Sequence, residues 1–303
     1  MSQKYPGGII SKTAPVTVGP VDGEGGSAPG VWTLTQALEL NKQNLWPKPL
    51  ISGELYSWGY NSTGSLGLGD VVPRSSPVQV GLLVDWSRLS VGNNFSVAVK
   101  LNGTLWSWGS GQRAATGQND TVSRSSPVQV GGLTTWYEAS AGSGFCSAIK
   151  TDGTLWAWGY NPQGQLGLND TVNRSSPVQV GALTTWAEVS SGSFHTLGVK
   201  TDGTLWSWGA NANGQLGLND TVSRSSPVQV GALTTWSKVS GGAELCSALK
   251  QNGTLWNWGT NGAGQLGQND TANRSSPVQV GALSTWVRLP TRNGNFTLAL
   301  KTP

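Results

Sequence analysis

Residues 201–240, TDGTLWSWGANANGQLGLNDTVSRSSPVQVGALTTWSKVS, recur almost unchanged from residue 151 onwards. Variants begin at residues 101 and 251, and a more divergent copy begins at residue 51, which gives five repeats of about 50 residues. A period of this length, made of short apolar runs and glycine-rich turns, is typical of β-propellers and β-solenoids. The sequence therefore predicts an all-β fold over residues 51–303.

Each repeat is predicted to form four strands. In the third copy, Asp152-Gly153 separates the runs SAIK and TLWAWG, and this dipeptide favours a type I′ hairpin. Pro177 lies near the start of the strand SSPVQV, and because proline cannot donate to a ladder we expect this strand to lie at a sheet edge or to begin at Pro177. Alternation with a period of two places Trp156 and Trp158 on one face of the sheet.

The repeated tryptophans and arginines are expected to be structural. A buried tryptophan removes ~150–250 Å² from water, worth at most ~4–6 kcal/mol, so the rings can hold adjacent sheets together. The arginine of each RSSPVQV run is expected to pair with an aspartate four residues earlier; a ring of positive charge that attracts phosphates or acidic glycans is the alternative. These structural residues are Trp106, Trp108, Trp156, Trp158, Trp206, Trp208, Arg124, Arg174 and Arg224.

The two ends of the repeat array lack complementary strands. The first repeat begins directly with ELYSWG and has no preceding hairpin strand, whereas the last repeat ends in NFTLALKTP with no partner after it. Pairing residues 295–301 with residues 54–59 would complete one blade from both ends and remove two open edges. The sequence therefore predicts a closed five-bladed β-propeller.

Residues 1–50 are not repeated and are predicted to form an extended arm followed by one short helix. The arm is rich in glycine and proline, Thr33 or Thr35 can cap the helix, and Pro47 ends it. An isolated helix of this length is unstable in water, so it must dock on the propeller or on a partner. The residues expected to anchor it are Tyr5, Ile9, Ile10, Val31, Trp32, Leu34, Leu38 and Trp46.

The motifs TDGTLWSWG, GQLGLND and SGSFHTLGVK resemble the repeats of the regulator-of-chromosome-condensation family, and the match covers residues 51–303. The resemblance implies a propeller, typically of seven blades in that family, with guanine-nucleotide exchange on a small GTPase and chromatin binding as its best-known role. His195 stands where the family usually has histidine, but Phe95, Phe145, Leu245 and Phe296 stand at the corresponding positions here. We therefore expect His195 to be structural.

The non-repeated segment resembles a different group of proteins. Its motifs GGIISKT, APGVWTL and ALELNKQNLWP are similar, in this order, to a segment of structural proteins of marine tailed bacteriophages. The resemblance implies that residues 1–50 attach the chain to other virion proteins and that the propeller is the variable module. A segment that packs only against its own propeller is the alternative.

The composition disfavours catalysis. The chain has one histidine, 15 acidic residues and two cysteines, Cys146 and Cys246, which lie on different repeats. We expect no catalytic residues, no metal and no cofactor, no membrane span, and no nucleic-acid partner, because the net charge of +4 comes without a Lys/Arg run. Recognition is expected in the loops that vary between repeats, and the candidate residues are Tyr60, Arg113, Tyr160, Phe194, Asn211, Glu244 and Arg292.

These observations predict a non-enzymatic bacteriophage virion protein, made in the host cytoplasm. It would act as a capsid decoration or a tail appendage such as a tail fibre, anchored by residues 1–50, with the propeller available for protein binding or host attachment. The partner at the host surface could be a glycan or a protein, and a homo-oligomer stays open. The alternatives are a cellular protein-interaction propeller of the exchange-factor or inhibitor type and a glycan-binding lectin.

Overall fold

The computed structural model describes residues 52–289 and 297–302. The described residues form four complete four-stranded antiparallel sheets, with a two-stranded half-sheet before them and another after them. Each complete sheet is built from consecutive strands, and the sheets repeat at intervals of about 50 residues. The predicted all-β fold of repeated four-stranded sheets is therefore confirmed.

The first half-sheet pairs β1 (Tyr56–Gly59) with β2 (Arg74–Gln79), and the last half-sheet pairs β19 (Trp286–Arg288) with β20 (Leu300–Lys301). Sheet I contains β3 (Trp86–Val91), β4 (Phe95–Lys100), β5 (Leu105–Gly109) and β6 (Arg124–Gln129). Sheet II contains β7 (Trp136–Ala141), β8 (Phe145–Lys150), β9 (Leu155–Gly159) and β10 (Arg174–Gln179). Sheet III contains β11 (Trp186–Ser191), β12 (His195–Lys200), β13 (Leu205–Gly209) and β14 (Arg224–Gln229). Sheet IV contains β15 (Trp236–Gly241), β16 (Leu245–Lys250), β17 (Leu255–Gly259) and β18 (Arg274–Gln279).

The Asp-Gly hairpin is formed, but the predicted type I′ turn is wrong. In sheet III the backbone N–H of Gly203 donates to the carbonyl of Lys200, and Gly203 has φ +76°, whereas Asp202 is not in the left-handed region. The carboxylate of Asp202 instead accepts hydrogen bonds from the backbone N–H and the hydroxyl of Thr204, at 3.0 and 2.7 Å. Because this local Asx bond includes Thr204 in the turn, the loop is longer than a two-residue type I′ turn. Only Gly203 then needs a positive φ.

Tryptophan side chains fill the space between consecutive sheets. In sheet III the rings of Trp186 and Trp208 meet edge to face with centroids 5.7 Å apart, and Trp208 is fully buried. The indole N–H of Trp208 donates to the carbonyl of Gln165, 3.0 Å away in the preceding repeat. Edge-to-face geometry and a satisfied indole N–H are what a buried tryptophan requires. Packing between sheets therefore accounts for this tryptophan without any ligand.

The first strands of adjacent sheets are joined by serine side chains. The hydroxyl of Ser90 accepts the backbone N–H of Ala141 at 3.0 Å, and the hydroxyl of Ser140 accepts that of Ser191 at 2.9 Å. The same bond joins Gly241 to Ser190, at 2.9 Å. These bonds fix each sheet against the next at one edge, and the tryptophans fix them along the face.

The predicted pairing of residues 295–301 with residues 54–59 is not formed in the part of the chain that the structure describes. Among the described residues, β1 pairs only with β2 and β20 pairs only with β19. Tyr56, Trp58, Leu298 and Leu300 of these half-sheets are exposed. The ends meet only if the rotation between successive sheets adds up to a full turn over five repeats, and that rotation is set by the internal packing between sheets. The two half-sheets nevertheless contain, between them, the strands of one complete sheet.

The chain divides into two units, residues 1–51 and residues 52–303. Residues 1–51, and with them the predicted arm, helix and anchoring side chains, lie outside the described residues. The assignment of residues 1–50 to an anchoring segment therefore stays a prediction.

Candidate protein-binding surface

Two variable loops of each complete sheet are joined by a backbone hydrogen bond. One loop follows the third strand of a sheet, and the other precedes the second strand. The carbonyl of Gly144 accepts the N–H of Tyr160 at 2.9 Å, and the carbonyl of Phe194 accepts the N–H of Ala210 at 2.8 Å. Because this bond recurs, the loops that differ most between repeats lie side by side at one edge of the array.

Side chains from loops of sheets I, II and III form a continuous line across this edge. The guanidinium of Arg113 lies 4.3 Å from the ring centroid of Tyr160, and the rings of Tyr160 and Phe194 meet edge to face at 6.4 Å. A cation–π contact at an exposed site contributes ~0.5–1 kcal/mol, which is enough to restrict the side chains without burying them. Three of the predicted recognition residues are therefore brought together.

Arg113 reaches this position because its loop departs from the repeat. Residues Gln112–Ala114 form a 3-10 turn in which Arg113 has φ 62° and Ala114 has φ 60°. The Arg113 side chain passes over Gly144, where an added Cβ would lie 3.0 Å from Cδ of the arginine. Non-glycine residues at positive φ cost of order 1 kcal/mol or more and need support from their surroundings. The contact with Tyr160 supplies part of that support.

The line continues into the fourth and fifth repeats through polar side chains. Glu244 accepts hydrogen bonds from the side-chain amide of Asn213 at 3.0 Å and from the hydroxyl of Thr260 at 3.3 Å. Asn213 and Thr260 were not among the predicted recognition residues, although they lie in the same variable loops. We call the six side chains the variable-loop strip. Its members are Arg113, Tyr160, Phe194, Asn213, Glu244 and Thr260.

The other predicted recognition residues lie elsewhere. Tyr60 is exposed in the loop after β1, where its hydroxyl accepts a hydrogen bond from Ser62. Arg292 lies outside the described residues. Asn211 is fully buried, so its assignment to a recognition surface is wrong.

Asn211 organises its loop from the inside. Its side-chain amide N–H groups donate to the carbonyls of Asp220 and Val222 at 3.1 Å, and its side-chain oxygen accepts the N–H of Leu216 at 2.9 Å. The sequence did contain a signal for this structural role, because asparagine recurs at this position of the repeat. Residues that are retained in most copies stabilise the fold that the copies share. Asn61, Asn161 and Asn261 are the equivalent residues.

The repeated arginines are neutralised by the predicted aspartates. In repeat two, the Arg124 guanidinium hydrogen-bonds the Asp120 carboxylate and lowers the pKa of Asp120 to about 2. The same ion pair forms in every repeat, which removes the alternative of an uncompensated ring of positive charge. The remaining pairs are Arg74–Asp70, Arg174–Asp170, Arg224–Asp220 and Arg274–Asp270.

His195 and Cys246 are buried in the interior, where neither side chain reaches solvent. The thiol sulfur of Cys246 lies 3.0 Å from Nε2 of His195 and 3.1 Å from the carbonyl of Gln215. Burial raises the pKa of the Cys246 thiol well above its ordinary value. A neutral thiol in such a position is not an effective nucleophile. In the part of the chain that the structure describes, no three His, Cys, Asp or Glu side chains are grouped to hold a metal ion.

The faces of the outer tryptophans are covered by lysines of the same chain. The ammonium group of Lys200 lies 3.4 Å from the ring centroid of Trp206, and that of Lys150 lies 3.5 Å from the ring centroid of Trp156. A sugar that stacks on a tryptophan needs an open ring face. These contacts do not favour the lectin alternative.

Comparison with known proteins gives a consistent result for the repeat region. A model of the family described as RCC1-like domain matches residues 50–298. Human WBSCR16 has 21% sequence identity and a TM-score of 0.73, with 83% of this chain and 68% of that chain covered. A comparison with curated protein sequences gave no match.

Two structures of the same yeast protein also match. Prp20p from Saccharomyces cerevisiae has 17% identity and a TM-score of 0.53 over 78% of this chain and 76% of that chain. Yeast RCC1 (Prp20), solved with Kap60 bound, gives 16% identity and a TM-score of 0.57 over 91% of this chain and 82% of that chain. At these identities the comparisons support the fold. No helix of the described residues is long and apolar enough to cross a membrane.

Proposed function

The chain belongs to the RCC1-like domain family, and from this premise we propose that it is a non-enzymatic, protein-binding propeller of a bacteriophage particle. The variable-loop strip is its binding surface. The single observation that carries this proposal is the contact of Arg113, Tyr160 and Phe194, which come from loops of three sheets and form one surface.

The composition of the strip suits a protein partner. Tyrosine, phenylalanine and arginine are enriched in protein interfaces, and arginine and tyrosine are frequent among the residues that contribute most binding energy. The strip combines these three residue types with the carboxylate of Glu244, so it offers both apolar contact and charge. The sheets beneath hold the loops in place, which limits the entropy lost on binding.

The solved relatives support a protein-binding role. The structure of Prp20p was described with binding properties to Gsp1p and histones, and yeast RCC1 (Prp20) was solved with Kap60 bound. These partners belong to those proteins. What we carry over to this chain is only the use of the propeller as a surface for proteins.

The interior chemistry supports a role without catalysis. The His195 imidazole and the neutral thiol of Cys246 are buried against each other. General acid–base and nucleophilic catalysis require such groups to reach a substrate. The strip contains no comparable pair of groups.

The virion assignment is supported by residues 1–50. The ordered motifs GGIISKT, APGVWTL and ALELNKQNLWP resemble a segment of phage structural proteins. We propose that this segment attaches the chain to other virion proteins and leaves the strip available to a protein at the host surface. A decoration protein or a tail appendage has this organisation.

The binding surface is tested with a triple variant of the strip, Arg113→Ala, Tyr160→Ala and Phe194→Ala. The matched control replaces three exposed valines from loops of the same three sheets, Val122, Val172 and Val222, by alanine. Cross-linking mass spectrometry on particles or infected cells identifies the protein bound to the wild-type strip, and titration with that protein gives the affinity. We expect at least tenfold weaker binding for the strip variant and an unchanged affinity for the control. Equal affinities of the strip variant and the wild type would refute the assignment.

The anchor is tested separately by deleting residues 1–50. We expect the truncated chain to fold with an unchanged far-UV circular dichroism spectrum of its sheets and to be lost from purified particles. Retention of the truncated chain on particles at the wild-type copy number would contradict the proposed attachment.

A further inference from the structure

The first half-sheet exposes a tryptophan whose equivalents are buried in the complete sheets. Trp58 of β1 is 59% exposed, whereas the equivalent Trp108 and Trp208 are 3% and 0% exposed. Tyr56 and residues 75–77 are also exposed. We call Tyr56, Trp58 and residues 75–77 the head face. In each complete sheet, the equivalent surface packs against the preceding repeat.

The loop between β17 and β18 exposes the matching surface. In the preceding repeat, a Cβ added to Gly217 would lie 2.9 Å from Nε1 of Trp258, because the tryptophan of the next sheet packs on this glycine. A Cβ added to Gly267 would have Cγ1 of Val280, at 3.3 Å, as its nearest neighbour. We call residues 264–269 the tail face. It has the shape that receives a tryptophan, and none of the described tryptophans lies near Gly267.

The hydrogen bonds at the two faces are complementary in the same way. The carbonyl of Gln215 accepts the indole N–H of Trp258 at 2.9 Å. The same Gln215 carbonyl also accepts the thiol of Cys246, at 3.1 Å. At the tail face the equivalent carbonyl of Gln265 accepts the hydroxyl of Thr297 at 2.8 Å in place of that thiol, and no described residue donates to it in place of the indole. No described residue accepts a hydrogen bond from Nε1 of Trp58. The head face therefore carries the donor for which the tail face has an acceptor.

A backbone bond repeats the pattern. The N–H of Asn219 donates to the carbonyl of Ser275 at 2.7 Å, as the N–H of Asn169 does to that of Ser225 at 2.8 Å. The next donor in the series is the N–H of Asn269, which bonds to no residue that the structure describes. The acceptor that would continue the series is the carbonyl of Ser75 on the head face.

We propose that the head face of one copy of this chain binds the tail face of a second copy. The junction repeats the packing between neighbouring sheets, with Trp58 on Gly267 and the N–H of Asn269 on the carbonyl of Ser75. It also brings β20 of one copy beside β1 of the other, which completes a four-stranded sheet from the two half-sheets.

A second copy is the occupant that the structure favours. Among the described residues of one chain, β1 pairs only with β2 and β20 pairs only with β19, so one edge of each half-sheet is open. Open edges of this kind recruit strands from other chains. Because the two faces differ, the association is head to tail and gives either a closed ring of copies or a filament.

The first experiment compares the full-length chain with two single variants by sedimentation velocity over a range of concentrations. Trp58→Ala removes the head side chain, which is already exposed within one chain. Gly267→Asn introduces a residue that tolerates the φ of +67° at this position, and its Cβ lies where Trp58 of the second copy would pack. We expect the wild type to associate and each variant to raise the dissociation constant at least tenfold.

The matched control is Gly281→Asn, because Gly281 has φ +60° and no atom within 4 Å of an added Cβ. This variant is expected to associate as the wild type does. A wild type that stays monomeric at all concentrations would overturn the proposal, whether Trp58 is then exposed or protected by closure within one chain.

The second experiment mixes the two blocked variants. A Trp58→Ala chain keeps its tail face and a Gly267→Asn chain keeps its head face, so the mixture is expected to form a one-to-one heterodimer. Neither variant alone should do so. Failure of the mixture to form this complex, while the wild type associates, would show that the copies use other surfaces and would refute the junction.

Discussion

Asn211→Ala tests whether the buried asparagine holds the loop of its repeat together. The substitution removes the acceptor of the buried Leu216 N–H and the donors to the carbonyls of Asp220 and Val222. A buried N–H without a partner costs about 1–3 kcal/mol. The two carbonyls lie near the surface, where water replaces most of the lost bond. The expected loss of unfolding free energy is therefore about 2–4 kcal/mol.

Urea unfolding followed by tryptophan fluorescence measures this loss, and hydrogen exchange of the Leu216 amide locates it. Asn213→Ala is the matched control, because the same residue type two positions later bonds only at the surface, to Glu244. We expect the control to change stability by no more than about 0.5 kcal/mol. If Asn211→Ala costs no more than Asn213→Ala, or the Leu216 amide exchanges no faster, the structural role of Asn211 is refuted.

Three further predictions concern titratable groups. His195→Phe should leave folding and partner binding intact, since Phe145 occupies the equivalent position of the preceding repeat; loss of either property would show a specific role for the imidazole. Because burial raises the pKa of the thiols of Cys146 and Cys246, neither should react with a disulfide reagent until urea unfolds the chain, and rapid labelling of the native protein would contradict their burial. The lowered pKa of Asp120, about 2, means that its contribution to stability is complete above its ordinary pKa and is lost as the pH falls towards 2. Asp120→Asn should therefore flatten the acid limb of the pH–stability curve, and an unchanged limb would exclude this carboxylate as its cause.

The repeated features were predictable because each copy contains the same local sequence pattern. A glycine after Asp or Asn indicates the hairpin. The period-two alternation of side chains around Trp156 and Trp158 indicates the strand whose tryptophans pack between two sheets. The arginine–aspartate pair is also local, since both residues lie in one loop. Five copies of one pattern make such signals much stronger than a single copy would.

The features that escaped prediction depend on contacts between repeats or on competition within a turn. The observed turn differs from the predicted type I′ turn because the Asp202 side chain accepts a hydrogen bond from Thr204, which the dipeptide alone does not reveal. Asn211 was assigned to recognition because its loop varies, although the residue itself recurs. The contact of Arg113 with Tyr160 requires the positions of two sheets, and no property of either loop sequence indicates it.

The lack of pairing between β1 and β20 has a similar cause. The strand content of the half-sheets was visible in ELYSWG and NFTLALKTP. Whether one chain can join them depends on the rotation between successive sheets. Small differences in packing change this rotation, and the changes add up over the whole array. The sequence therefore predicts which strands are complementary, but it does not determine whether they belong to one copy or to two.

The central claim is that this propeller is a component of a phage particle. Quantitative mass spectrometry of density-purified particles, searching for the peptide VWTLTQALELNK of residues 31–42, tests it most directly. The account predicts recovery at a fixed copy number per particle that withstands washing with high salt and mild detergent. Absence of the peptide from particles, with the protein abundant in the surrounding cytosol, would contradict the virion assignment and favour a cellular protein-interaction propeller.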